Sequence, residues 1–309
     1  MTMHGTTQPI PIKSSASAPA VSFEVFPPKT ESGAEKLWEA VRRLAVWQPE
    51  FVSVTCGAGG SAIDGTAASV REIHTRSGLE VVPHVAIARQ SRSRLREALK
   101  AYKDSGVRRV VAIRGDEAQT EAIDFGDDIF ADTIEFVAEL RRDFGLDPLV
   151  AAYPDVHPRA QSPAQDLEHL RRKAEAGAAL AISQFFFEAE TFLRFRDKMR
   201  AAGIKVPLAP GIMPIQNFKQ VVKFAGGCGT IVPAGFAARF ERHGDNEKAQ
   251  FDEGVAHTAE LCDQLRREGV EHFHFYTLNR SEMTNAVCEK LAFGKIPLNG
   301  ESRMLAPNR

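Results

Sequence analysis

The chain has 309 residues, a formal net charge of −1, 43% hydrophobic residues and 26% charged ones. That length gives one large domain or two small ones with a substantial core, and the near-neutral charge supplies no global field for nucleic acid or a membrane surface. Cys56, Cys228, Cys262 and Cys288 form neither a C-x-x-C pair nor a zinc spacing, which suits a reducing cytoplasm, and no apolar run reaches the roughly 18 residues a membrane span needs.

Residues 1–20 are rich in Ser, Ala, Thr and Pro without a continuous apolar stretch, and are expected as a disordered leader. The first strand, Val21–Phe26, alternates faces: Phe23 and Val25 on one side, Ser22, Glu24 and Phe26 on the other. Pro27-Pro28 ends it, so Glu24 lies near its C-terminal end. An ionised carboxylate is costly to bury; Glu24 is either kept for chemistry or is an edge residue facing water, and the segment alone leaves both open. Further strands are expected at Phe51–Cys56, Glu80–Ile87, Arg109–Arg114, Leu149–Tyr153, Leu180–Phe187, Val206–Ile212 and His272–Thr277. Between them lie amphipathic helices at Ala34–Val46, Gly65–Thr75, Ser91–Lys103, Asp128–Arg142, Pro163–Ala176, Ala189–Ala201, Ile215–Phe224 and Asn246–Glu268, with Ser281–Leu291 after the last strand. Ser91 and Ser162 are expected N-caps, Pro163 stands at N1, and Gly177 is a stop.

About eight β-then-α units without a linker-like break predict an α/β fold, a single-domain (β/α)8 TIM barrel over residues 21–300 with an added C-terminal helix and a tail at 301–309. A doubly wound sheet is the alternative, weakened because no G-x-G-x-x-G follows the first strand. Cys56-Gly57-Ala58-Gly59-Gly60-Ser61 reads as a plain turn. In a barrel the active site occupies the C-terminal strand ends. That places Glu24, Thr55, His84, Arg114-Gly115-Asp116, Tyr153 with Pro154-Asp155-Val156-His157-Pro158, Gln184, and Tyr276-Thr277-Leu278-Asn279-Arg280 around one mouth.

Asp166, His169 and Lys173 share one helix face after the fifth strand. They form either a salt-bridged exposed face or a row for the phosphates or ribose of a dinucleotide. Arg89, Arg92, Arg94 and Arg96 read as a solvated helix face too narrow for a nucleic-acid footprint. The histidines have no compact metal spacing, so no metal is expected. No G-x-S-x-G elbow points to a hydrolase.

Taken in order, Ser22-Phe23-Glu24-Val25-Phe26-Pro27-Pro28-Lys29, Phe51-Val52-Ser53-Val54-Thr55, Arg114-Gly115-Asp116, Ala151-Ala152-Tyr153-Pro154-Asp155-Val156-His157-Pro158, Gln184-Phe185-Phe186-Phe187, Pro210-Gly211-Ile212-Met213-Pro214 and Phe273-His274-Phe275-Tyr276-Thr277-Leu278-Asn279-Arg280 resemble the bacterial methylenetetrahydrofolate reductases. The resemblance implies a barrel holding non-covalent FAD, NADH or NADPH as reductant, and methylenetetrahydrofolate as substrate, in the cytoplasm and in the service of one-carbon metabolism. It implies that Glu24 is the general acid that opens the folate ring, and that Asp116 is a carboxylate near the flavin and pterin. Gln184 would hydrogen-bond the pterin. Gln220, Phe224, Tyr276 and Arg280 would line the folate or nicotinamide site. Thr55, His84, Arg114, Gly115, Tyr153, His157, Ala160, Asp166, His169 and Lys173 would contact flavin. Phe130 stands where the family has a tyrosine, and His169 where an asparagine is usual, which puts the adenine side in question. Feedback control through an appended regulatory domain is not expected. A folate-binding barrel of the methyltransferase class and a non-catalytic folate-binding subunit remain alternatives. The choice between NADH and NADPH, and whether the chain forms a homo-oligomer, stay open.

Overall fold

In a computed structural model, residues 19–56, 62–115 and 124–293 are described. The strands are β1 (Ala20–Val25), β2 (Phe51–Val54), β3 (Val81–Ala86), β4 (Arg109–Ile113), β5 (Asp147–Ala152), β6 (Leu180–Ser183), β7 (Leu208–Ala209), β8 (Gly211–Ile212) and β9 (His272–Tyr276). All neighbours pair in parallel, in the order β7-β6-β5-β4-β3-β2-β1-β9-β8. β7 and β8 are one barrel strand interrupted at Pro210: the first piece bonds to β6, the second to β9, and together they bring the two edges of the sheet round to each other. Proline has no N–H to donate, although its carbonyl still accepts from His274 N at 3.0 Å. The strand expected as continuous from Val206 to Ile212 is therefore split, and the fold is the expected (β/α)8 barrel.

The helices are α1 (Glu31–Leu44), α2 (Ala62–Ser77), α3 (Arg92–Asp104), α4 (Thr133–Glu139), α5 (Pro163–Glu175), α6 (Ala189–Ala201), α7 (Phe218–Cys228), α8 (Ala238–Glu241), α9 (Glu247–Arg267) and α10 (Glu282–Lys290). Caps explain several starts. Thr30 Oγ1 accepts from Gly33 N, which begins α1 ahead of the expected Ala34. Ser91 and Ser162 cap α3 and α5 as expected. The helix expected from Asp128 begins instead after Asp132, whose carboxylate accepts from Ile134 N and Glu135 N. Asp128 is engaged elsewhere: it accepts from Ser93 N (3.0 Å) and Ser93 Oγ (2.6 Å) at the start of α3. α4 continues as a π-helical turn, Leu140–Phe144, ending at left-handed Gly145. β6 is shorter than expected because Phe185 and Phe187 leave the ladder to pack with Ile215, Val221, Phe236 and Phe240 beyond the strand end. α10, the helix expected after the last strand, packs between α9 and α1.

Two cores result. Phe23, Val25, Val52, Val54, Phe273 and Phe275 point outward under the helices. Phe51, Val82, Val111, Leu149, Leu180, Ile182 and Ala209 fill the barrel. At the strands' N-terminal ends, buried Arg109 pairs with Glu80 at 3.2 Å and closes the bottom. Arg92 and Arg96 do not merely face solvent: both guanidiniums converge on Glu139, whose side chain is 1% exposed. Glu139 is the buried partner while the arginines keep contact with solvent, and the three together bolt α3 to α4. The leader before residue 19, the glycine-rich segment 57–61, Asp116 and the tail lie outside the described residues.

Candidate active site

The strand alternation that buries Phe23 and Val25 outward turns Ser22 and Glu24 into the barrel, above the apolar layer led by Phe51. β9 has the same period, so His272, His274 and Tyr276 face inward, while Phe273 and Phe275 face the helices. A chain of polar contacts climbs the interior. Ser22 Oγ meets His272 Nε2 at 2.8 Å and His274 Nδ1 at 2.7 Å. Glu24 Oε2 lies 3.7 Å from His274 Nε2 and 3.4 Å from His84 Nε2. Both of these nitrogens are buried without a hydrogen-bond partner among the described residues.

The electrostatics of this cluster follow from burial. The Glu24 side chain is 12% exposed, and desolvation raises its pKa above the ordinary carboxylate value, with His84 opposing more weakly. Burial also lowers His84 and holds His272 and His274 down to about 3, so neither of the latter is an imidazolium near neutrality. Glu24 thus lacks a fixed cation to ionise it. A carboxyl so placed holds its proton more tightly than an exposed one, which is the shift a proton donor needs. The edge-residue reading of Glu24 falls away.

Tyr276, beside Glu24 in the ladder, donates its hydroxyl to Ser183 O at 2.8 Å. Burial pushes its pKa well above the usual phenol value, so it stays a donor. Gly211 makes this reach feasible: a Cβ there would stand 2.0 Å from Ser183 O and 2.6 Å from Tyr276 Cε2. Gln184 follows on the same strand end; its Oε1 accepts from Phe185 N at 2.9 Å.

The β5–α5 connection forms a second wall. Tyr153 and His157 pack edge to face with ring centroids 4.5 Å apart. Asp166 Oδ2 accepts from His157 N at 2.9 Å, and Ala160 N donates to His157 O at 2.9 Å. His169 Nε2 meets Thr133 Oγ1 at 3.3 Å. Lys173 is buried, donates to Ala151 O at 2.7 Å, and is held down to about 8 by desolvation. The row Asp166, His169 and Lys173 is therefore no solvated salt-bridged face: Lys173 folds against β5, His169 against α4, and Asp166 against the connection that precedes α5. On the neighbouring strands, Gly115 adopts φ +87° against Ala86, Arg114 is exposed, and Thr55 is half-buried with its carbonyl bonded to Thr66 Oγ1.

A third group lies between β9 and α7, where Tyr276, Thr277, Arg280, Gln216 and Gln220 line a pocket. Arg280 Nη1 donates to Gln216 Oε1 at 3.0 Å. Asn217 caps α7, so the helix starts later than expected; it carries Gln220 at the pocket and half-buried Phe224 one turn on, against the cluster of Phe185, Phe187, Phe236 and Phe240. Among the described residues, the expected site residues lie at the C-terminal strand ends, in the connections that follow them or on the next helix; Asp116 lies outside the described residues. The sequence reading gives His274, Ser183 and Gly211 no place in the site, and it puts Thr277 and Asn279 at the mouth without a role. The polar–aromatic alternation His272-Phe273-His274-Phe275-Tyr276 is the signal that could have found His274.

No group of three or more His, Cys, Asp or Glu suited to a metal ion occurs among the described residues, and no helix among them is long and apolar enough to cross a membrane.

Comparison with known proteins bears on this geometry. A family model described as methylenetetrahydrofolate reductase matches residues 12–292. The 5,10-methylenetetrahydrofolate reductase of Pectobacterium carotovorum subsp. carotovorum is 43% identical over 271 residues, covering 88% of this chain and 89% of that protein. The enzyme of the same name from Escherichia coli (strain K12) is 41% identical over 271 residues, covering 88% and 90%. Among solved structures, a Clostridium thermocellum protein that binds two copies of 5-methyl-5,6,7,8-tetrahydrofolic acid superposes with a TM-score of 0.62 at 14% identity, over 90% of this chain and 94% of that one. At that identity the likeness speaks for the fold. The two sequence matches and the family model carry more: the chain belongs to the methylenetetrahydrofolate reductase family.

Proposed function

We propose that this protein reduces 5,10-methylenetetrahydrofolate to 5-methyltetrahydrofolate, with NADH or NADPH as reductant and non-covalent FAD as the carrier. The observation that carries the reading is Glu24: a carboxyl raised by burial, at the mouth of the barrel, facing two neutral imidazoles. A proton donor of that kind serves a reaction in which a ring amine must leave before hydride arrives.

The residues present fit FAD. A buried lysine at the end of β5, imidazoles at His157 and His169, and the guanidinium of Arg114 form a donor set suited to a diphosphate. The unpartnered His84 Nε2 suits a polar ring edge at the mouth. Thr55, His84, Arg114, Gly115, Tyr153, His157, Ala160, Asp166, His169 and Lys173 would hold it, with Asp116 near the flavin. FAD would supply two-electron chemistry, accepting hydride from the nicotinamide and passing it to the folate.

The chain's own residues account for the rest. Glu24 holds a proton at its carboxyl and delivers it to the folate ring nitrogen, opening the five-membered ring to the iminium that accepts hydride. A positioned acid of this kind is worth about 10²–10⁴ in rate. Tyr276 closes one side of the cavity and anchors to Ser183 O. Gln184, Gln220, Phe224 and Arg280 orient the pterin and its tail from the β6 and α7 side.

The test is direct. The purified protein should be yellow, or become so with FAD. Under anaerobic conditions NAD(P)H should bleach it, and methylenetetrahydrofolate should restore the colour. A colourless protein that neither binds FAD nor gains activity with it would overturn the reading in favour of a flavin-independent folate barrel.

A further inference from the structure

We propose that Asn279, together with Thr277, is a positioning residue that sets the reach of the Glu24 carboxyl. The inference rests on the function proposed above and adds residues to which that function had assigned no role.

The ladder between β1 and β9 ends at the Glu24–Tyr276 pair. Contacts between the two segments nevertheless continue past it. Thr277 donates twice to the Glu24 carbonyl, from its N–H at 3.2 Å and from Oγ1 at 2.6 Å. The chain then turns through Leu278 (φ 52°) and Asn279 (φ 56°), two consecutive residues in the left-handed region. Asparagine tolerates that region; leucine does so only where its surroundings compel it. The turn brings the Asn279 carboxamide against Phe26, where Oδ1 accepts from Phe26 N at 2.7 Å and Nδ2 donates to Phe26 O at 2.9 Å. A carboxamide carries the same donor–acceptor pair as a peptide unit. Asn279 therefore supplies the rung that β9 no longer provides.

This matters because of what surrounds the acid. The groups facing Glu24 are His84, His274 and Tyr276. His84 Nε2 and His274 Nε2 lie at 3.4 Å and 3.7 Å without hydrogen bonds, and the Tyr276 hydroxyl is committed to Ser183 O. The aim of the carboxyl is consequently set by the backbone from which it hangs. Immediately downstream, Pro27 and Pro28 have no N–H with which to pin that backbone. The clamp grips both ends of the Glu24–Phe26 segment on the side where β9 stops gripping it, opposite β2, which still holds Val25 through Thr55 N–H to Val25 O at 3.0 Å. Loss of even 1 Å of alignment at a reacting group can cost about 10²-fold in rate.

The experiment uses the full FAD-loaded chain, with wild type in parallel. Asn279→Ala, Thr277→Val and Thr277→Ser are compared in the two half-reactions, flavin reduction by NAD(P)H and reoxidation by methylenetetrahydrofolate. A readout independent of turnover is the pH titration of the Glu24 carboxyl band in infrared difference spectra, identified by its absence in Glu24→Gln. Asn279→Ala should keep FAD and the nicotinamide half-reaction within about twofold, slow the folate half-reaction by about 10- to 100-fold, and move the carboxyl titration to lower pH as water reaches it. Thr277→Val should do the same to a lesser degree, and Thr277→Ser should restore both readouts. The proposal is overturned if both half-reactions fall together, or if the carboxyl titration and the folate half-reaction are unmoved. Should Asn279→Ala fail to fold, the Thr277→Val and Thr277→Ser pair decides by the same criteria. If wild type itself passes no electrons to the folate while the variants still move the titration, the proposed function fails and the positioning role stands.

Discussion

Lys173→Met separates what α5 contributes to folding from what it contributes to binding. Lys173 is 7% exposed and donates one hydrogen bond, to Ala151 O at 2.7 Å. Burial moves its pKa from 10.5 to about 8. At 1.36 kcal/mol per pH unit, that is about 3 kcal/mol against the charged form. Methionine keeps the unbranched stem and gives up a hydrogen bond worth about 1 kcal/mol. Near neutral pH the ligand-free variant should therefore be more stable by about 2 kcal/mol, roughly 4 °C or more in Tm. The sign of the pH dependence follows from the lowered folded-state value. Between about 8 and 10.5 the unfolded chain binds a proton that the native chain has released, so wild-type stability rises with pH across that window. The advantage of methionine should shrink over the same range. Calorimetry of the ligand-free protein near neutrality and near pH 10 measures this, and flavin fluorescence quenching measures FAD affinity, expected to weaken at least about tenfold with the loss of a charge-assisted contact. A variant less stable than wild type at both pH values would refute the reasoning, because the lysine would then be a structural bolt.

Gly211→Ala forces a Cβ to 2.0 Å from Ser183 O and 2.6 Å from Tyr276 Cε2. Overpacking and the lost tyrosine bond together should destabilise by about 3 kcal/mol or more, read as a lowered urea midpoint with unchanged slope. Acid should weaken the fold through His272 and His274, each held down to about 3 from 6.5, because their stabilisation is present above 6.5 and is lost as pH falls towards 3. Glu24 runs the other way, its raised pKa favouring the native state as pH falls, so the measurement belongs in a Glu24→Gln background. There, urea unfolding should show a loss of at least about 4 kcal/mol between pH 7 and pH 5, to which His257, held down to about 4, adds in the same direction; a flat profile would contradict their burial as neutral imidazoles.

Much of the architecture is legible in the sequence, because each β/α unit carries local signals. β-branched runs, Ser91 and Ser162 as caps, and Gly177 as a stop all work within a few residues of one another. Sequence and structure part company where a residue serves a distant partner. Asp128 looks like the start of its own helix, yet it is bound to Ser93. Arg92 and Arg96 look solvated, yet Glu139 receives them from another helix. Pro210 was visible, but its place within a barrel strand depends on pairing with both β6 and β9. In the site, alternation on β1 placed Glu24 at the mouth, whereas its burial depended on His84 and His274 from other strands. The Asn279–Phe26 clamp spans 253 positions, so no local pattern encodes it. The roles of Gln184, Gln220 and Arg280 came from family resemblance, which spacing alone could not supply.

The central claim is that Glu24 is the proton donor to the folate, and Glu24→Gln tests it most directly. Glutamine keeps the shape and removes the proton. Followed anaerobically in FAD-loaded protein, flavin reduction by NAD(P)H should proceed as in wild type, while reoxidation by methylenetetrahydrofolate should slow by at least about 10²-fold. Slowing of both half-reactions by the same factor, or of neither, would contradict the assignment.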